Sequence, residues 1–218
     1  MNLDWIQSEE NSLIYVGDTL CSWCYGFAPE LDKFIKKHPE LILRMVQGGL
    51  RPNGEEMVHQ MEDFLKSHWI EIEKRTGQPF SFDMFENEDF VLDTEPASRA
   101  VVVCRMMKPD IELEFFKAVQ IAFYVKNRNI NSVETFLEVA EKFELDQGKF
   151  EELFESEEAK YATKTDFQLS SEMGIKGFPS VVVKFGKQFF MISNGYRDFS
   201  DLEAVYQNVQ KELSNGRG

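Results

Sequence analysis

The chain has 218 residues, with 38 acidic against 24 basic side chains and a formal net charge of −14. So acidic a balance leaves no electrostatic footprint for a phosphate backbone and no Lys/Arg cluster to hold the chain on an anionic membrane. The partners expected are therefore proteins or small molecules, with no nucleic acid and no membrane. A hydrophobic content of 43%, with 20 Phe, excludes a disordered chain and suffices for one or two domains with a real core.

The N-terminal stretch "MNLDWIQSEENSLIYV" lacks a basic region followed by an apolar segment, so it does not read as a secretory signal. No segment reaches the roughly 20 apolar residues that span a bilayer. A cytoplasmic location is expected. Three cysteines, an odd number, also fit a disulfide scaffold poorly.

"SLIYVGD" (Ser12–Asp18) is short, apolar and β-branched, as a buried strand is. From Cys21 to Lys37, Trp23, Phe27, Leu31, Phe34 and Ile35 recur at helical spacing, and Pro39 closes the stretch. "LILRMVQGGL" (Leu41–Leu50) reads as a second strand, ended by Gly48–Gly49. Such a strand–helix–strand unit predicts a parallel pair with a right-handed crossover. From about Arg51 to about Thr163 no strand run stands out. Helices are predicted in "EEMVHQMEDFLKSHWIEIEKRTG", in "TEPASRAVVVCRMMKPD" with Thr94 as cap and Pro96 in the first turn, and in "ELEFFKAVQIAFYVKN", "SVETFLEVAEKF" and "QGKFEELFES". A further helix leads to strands Ser180–Phe185 and Gln188–Ser193, joined by a tight hairpin at Gly186–Lys187, and a terminal amphipathic helix follows.

Chemistry points to "DTLCSWCYGF". A cysteine at the first turn of a helix meets exposed N–H groups and the positive dipole end, which favour thiolate. A second cysteine three positions on lies one turn along the same face, close enough for a disulfide. Cys21, at the helix start, fits an exposed attacking sulfur, and Cys24, inside the helix, a more buried resolving one. A zinc knuckle would need two more ligands, and Cys104, His38, His59 and His68 form no second knuckle. A static disulfide or plain packing are the remaining readings. The placement after a strand and at the head of a helix favours the redox pair.

"CSWCYGF" resembles the active-site stretch of the DsbA-like thioredoxin-fold oxidoreductases, most of all the cytosolic FrnE-type branch, in which C-P-W-C-Y is usual and Ser22 here replaces Pro. "TEPASRAV", "GIKGFPSVVV" and "SNGYRDFSDLEAVYQ" resemble the same branch. The resemblance implies an α/β thioredoxin fold interrupted by a long all-helical insertion. Residues 1–50 and 164–218 would form the thioredoxin-like domain and 51–163 the inserted one. It also implies a cis-proline at Pro179 opposite the cysteines, with the backbone of Phe178 pairing with an extended substrate segment. Ser22 and Trp23, between the cysteines, would tune the potential and contact substrate. The activity implied is thiol–disulfide exchange on protein or small-molecule thiols and disulfides. It needs no cofactor beyond the cysteine pair, with glutathione a possible ligand.

Related folds with the same insertion, the 2-hydroxychromene-2-carboxylate isomerases and kappa-class glutathione transferases, typically carry Ser at the position of Cys21. A redox-inert adaptor on this fold is a third reading. Among the other candidates, Phe27 is expected in the core and Tyr25 is left open. Asp18 is either a proton acceptor for Cys24 or a solvated strand-end carboxylate. Cys104 shares an apolar helix face with Ala97, Ala100 and Val101 and is expected to be buried.

Overall fold

The computed structural model describes residues 4–86 and 90–215. Its sheet has four strands in the order β2-β1-β3-β4: β1 Ser12–Gly17, β2 Ile42–Gln47, β3 Ser180–Phe185 and β4 Gln188–Asn194. β1 and β2 pair in parallel from Ser12↔Ile42 to Gly17↔Gln47, as the strand–helix–strand reading requires. β3 runs antiparallel to β1, and β4 antiparallel to β3 with a bulge at Val181/Val182. This is the expected α/β thioredoxin architecture with helices filling the stretch between β2 and β3.

Every residue of β1 is buried, which explains its unbroken apolar text. The two faces of the pleat still separate. Leu13 and Tyr15 join the main core with Phe27, Leu31 and Phe34 of α2 (Ser22–Lys37) and Leu202 and Tyr206 of the C-terminal α9 (Phe199–Asn215). Ile14 and Val16 join a smaller core with Val46, Val182 and Leu169 of α8 (Glu157–Glu172). Trp5 and Ile6 of a four-residue α1 (Asp4–Gln7), which the sequence reading did not foresee, pack on that second face. The buried Lys184 ties this entry down by donating to the carbonyls of Ser8 (2.6 Å) and Glu10 (2.9 Å).

Between β2 and β3 lie α3 (Glu62–Thr76), α4 (Glu95–Met107), α5 (Glu112–Tyr124), α6 (Val133–Lys142), α7 (Gln147–Glu155) and α8. The end of the insertion, expected at position 163, falls inside α8, which runs unbroken and packs on both β2 and α4. One local expectation needs correction. Thr94 occupies the N-cap position of α4 but makes no capping bond, because its hydroxyl accepts from Arg51 N (3.1 Å). Asp93 Oδ1 accepts instead from Glu95 N and Asn53 N, both at 2.9 Å. Cys104 is fully buried as expected, but α4 is enclosed on more than one face, since Ser98, Val102 and Val103 are fully buried as well.

Candidate active site

The site is built where β1 ends. After Gly17 the chain turns through Asp18, and Cys21 N donates to Asp18 O (3.2 Å). Cys21 is the N-cap of α2, with extended backbone angles of −86° and 106°. Its sulfur accepts from Cys24 N (3.3 Å), satisfying one of the donors a helix start leaves orphaned. Cys24 lies one turn inside the helix with no exposure, and Cys21 retains 8%. The expected contrast between the two sulfurs is present in kind, but Cys21 is more enclosed than an exposed attacking thiol would be.

Strand pairing brings in the second half of the site. Val16 pairs with Ser180, so the residues just before β3 lie beside the residues just after β1. Those residues are Phe178 and Pro179, joined by a cis peptide bond. The Cys21 thiol donates to Phe178 O at 3.5 Å across 157 positions of sequence. The Phe178 ring rests against Gly48, where a Cβ would come within 2.4 Å of it. Gly49, at φ +68°, leaves the same kind of room for Phe167.

Ser22 and Trp23 are half-buried between the cysteines. The Trp23 ring packs 5.4 Å from Tyr196, itself covered by the Arg75 guanidinium at 4.7 Å. Phe27 is fully buried, as expected. The structure settles Tyr25 as a packing residue, stacked on Tyr124 (5.0 Å) and donating to Pro79 O (3.0 Å). Pro29 sits inside α2 and cannot donate to Tyr25 O, which accepts from Gln78 Nε2 (3.4 Å) instead.

Asp18 is fully buried, which overturns the solvated-carboxylate reading. Its oxygens accept from Leu20 N (2.9 Å) and Leu50 N (2.7 Å). Burial pushes its carboxyl up to about 6, against the opposing pull of those N–H groups and of Arg51. Burial also pushes the Cys24 thiol well above its ordinary value, with Cys21 and the Asp18 charge adding to the effect. Burial raises the Tyr15 hydroxyl well above the ordinary phenol, and the neighbouring Cys24 adds to the effect. From the insertion, Gln120 Nε2 donates to Asp18 O (3.3 Å), and the buried Tyr124 feels the charges of Cys21, Asp18 and Cys24.

The sequence reading missed Tyr15, Gln120 and Tyr124. A signal existed for Gln120, a lone amide in the apolar run "AVQIAF"; nothing local marked the two tyrosines. Cys104 takes no part: it is fully buried and its thiol is pushed by burial up to about 12. His38 bridges Glu40 and Glu203 at the far end of α2 (3.2 and 2.7 Å). Among the described residues, no group of three or more His, Cys, Asp or Glu is placed to hold a metal ion, and no helix is long and apolar enough to cross a membrane.

In chemical terms the site joins a sulfur at a helix start, a second sulfur enclosed one turn below, and a backbone carbonyl facing the first. The buried Asp18 carboxylate adds, through its charge, to the rise of the second sulfur's thiol.

Residues 13–207 match the model of the DSBA-like thioredoxin domain. A candidate protein disulfide isomerase from Nitrosomonas europaea is 32% identical and superposes with a TM-score of 0.86 over 94% of this chain and 99% of its own. The cytosolic disulfide reductase DsbM of Pseudomonas aeruginosa, also solved with glutathione, is 24% identical, with a TM-score of 0.76 over 93% of this chain and 99% of its own. Among curated sequences, the ClpXP adapter protein SpxH of Halalkalibacterium halodurans is 23% identical over 76% of this chain and 56% of its own. The chain thus spans about half the length of the curated relatives it matches.

Proposed function

We propose that this chain, which belongs to the DSBA-like thioredoxin domain family, is a cytoplasmic thiol–disulfide oxidoreductase working through Cys21 and Cys24. The observation that carries the reading is the placement of the Cys21 sulfur. It caps the helix and faces the Phe178 carbonyl at 3.5 Å, with Cys24 enclosed one turn away.

In the reducing direction, the Cys21 thiolate attacks one sulfur of a substrate disulfide. A Cys21–substrate bond forms and the first substrate thiolate leaves. Cys24 gives its proton to Asp18 and attacks the Cys21 sulfur. The Cys21–Cys24 disulfide forms and the second substrate thiolate leaves, taking up a proton. Two electrons pass to the substrate, and two equivalents of an external thiol such as glutathione restore the dithiol. Phe178 offers backbone to an extended substrate segment beside this exchange, and Pro179 presents no N–H to the sulfurs.

The isomerase and transferase reading is disfavoured by Cys rather than Ser at position 21. The adaptor role named for SpxH calls for no dithiol, so turnover separates it from the redox reading. The reduced protein is expected to cleave a peptide disulfide stoichiometrically and, with excess glutathione, catalytically. Cys24→Ser is expected to accumulate a DTT-sensitive adduct on Cys21, and Cys21→Ser to be inert. A folded Cys24→Ser protein that forms no adduct, or conjugating activity that survives in Cys21→Ser, would refute the proposal.

A further inference from the structure

The cleft beside Phe178 continues away from the cysteines. Gly48, Leu50, Phe167, Ser171 and Phe178 bound a cavity of about 380 Å³. Pro52, Phe167 and Ser171 also bound a second cavity of about 640 Å³, so the two form one groove along α8. Lys160, Lys164, Phe167 and Ser171 fall at i, i+4, i+7 and i+11 of that helix and make the stripe that lines it.

The far end of the groove is basic. Arg99, Lys160 and Lys164 line it against a single carboxylate, Glu95, which is itself paired with Arg99 at 3.1 Å. In a chain with 38 acidic and 24 basic residues, that inverts the general balance. Arg99 is also committed elsewhere: it donates to Phe154 O (2.8 Å) and its guanidinium lies over the Phe154 ring at 4.1 Å. Among the described residues Lys160 forms an ion pair with Glu157, 91% exposed, a pairing worth little in water. Lys164 is exposed and has no ion pair among the described residues.

We propose that this groove binds an acidic peptide segment flanking the reacting cysteine of a protein substrate, with carboxylates on Lys160 and Lys164. The inference rests on the oxidoreductase reading for its reacting cysteine. Length selects a peptide over a small thiol. From Ser171 to Lys160 the stripe rises about 16 Å, which about five residues of extended chain would cover. A tripeptide reaches about 10 Å at full extension, so glutathione held by its sulfur at Cys21 falls short of the lysine pair. Allowing for the near cavity, the acidic residues belong about four to seven positions from the substrate cysteine.

The test uses labelled peptides with Ser in place of the reacting Cys, so that no thiol chemistry is involved. One carries two acidic residues on the N-terminal side at that separation, one carries them on the C-terminal side, and a third is neutral. By fluorescence anisotropy, one acidic peptide is expected to bind about fivefold or more tighter than the neutral one, with the preference lost at high salt. Lys160→Glu/Lys164→Glu is expected to abolish the preference and to gain affinity for a lysine-bearing peptide, a gain that a misfolded variant would not show. Equal affinities, a preference kept in the variant, or displacement of the acidic peptide by millimolar glutathione would overturn the inference. Cleavage of a neutral peptide disulfide is measured alongside. Turnover without acidic preference overturns the groove and leaves the oxidoreductase reading standing, and acidic-peptide binding without turnover does the reverse.

Discussion

Asp18 and Asp166 are both fully buried, and burial pushes both carboxyls up to about 6. Their partners differ. Asp166 Oδ2 accepts from Arg105 Nη2 and from Gln47 N, each at 3.0 Å, while Arg105 Nη1 lies 3.3 Å from Glu112. One guanidinium thus serves two carboxylates. Burial pushes Glu112 up to about 8, with Asp166 adding to the effect and Arg105 opposing it. Arg105 also donates to Met45 O (3.1 Å), so the cluster ties α4 and α8 to β2. Asp18 takes its hydrogen bonds from the backbone N–H groups of Leu20 and Leu50, and the titratable groups beside it include the Cys24 thiol. Burial sets the direction of both shifts. The neighbours differ: a guanidinium and a second carboxyl beside Asp166, a thiol beside Asp18.

The largest effect is expected from removing the cation. Arg105→Met leaves two buried carboxyls without their partner and should cost about 3–5 kcal/mol of stability in urea denaturation. The thiol exchange rate per folded molecule should be unchanged. Asp18→Asn should act the other way round. The attack of Cys24 on a preformed Cys21 mixed disulfide, followed by stopped-flow release of the second thiol, should slow about 100-fold at neutral pH. In the parent that rate should rise with pH through about 6, as Asp18 ionises, and in the variant the inflection should vanish. An unchanged profile would make Asp18 a structural carboxylate like Asp166.

Stability against pH sharpens the comparison further. Folding raises the carboxyl pKa of Asp18, Asp166 and Glu112, so the native state binds more protons than the unfolded chain. Their contribution is therefore most favourable at low pH and is lost as pH rises from about 4 through 6 for the aspartates and through 8 for Glu112. Asp18→Asn should remove its own part, at most about 3 kcal/mol, and flatten the slope between pH 4 and 6 only. The smallest effect is expected at Cys104: Cys104→Ala should cost about 1 kcal/mol and leave exchange untouched.

The elements that the sequence reveals are those fixed by local period. β1 reads as a buried strand because both its faces are covered, and α2 follows from its apolar spacing despite Pro29, whose lost bond Gln78 makes good. Cys21 and Cys24 are legible from spacing and placement. The burial of Asp18 is not, because the cover comes from far along the chain: Gln120 reaches it from 102 positions away. The Thr94 cap fails for the same reason, its hydroxyl being taken by Arg51, 43 positions earlier.

The most direct test of the division of labour between the sulfurs is the order of alkylation. The reduced protein is treated with limiting iodoacetamide and the modified cysteines are mapped by mass spectrometry. The account predicts that Cys21 is modified first, with Cys24 and Cys104 protected in the folded protein. Modification of Cys24 ahead of Cys21 would contradict it.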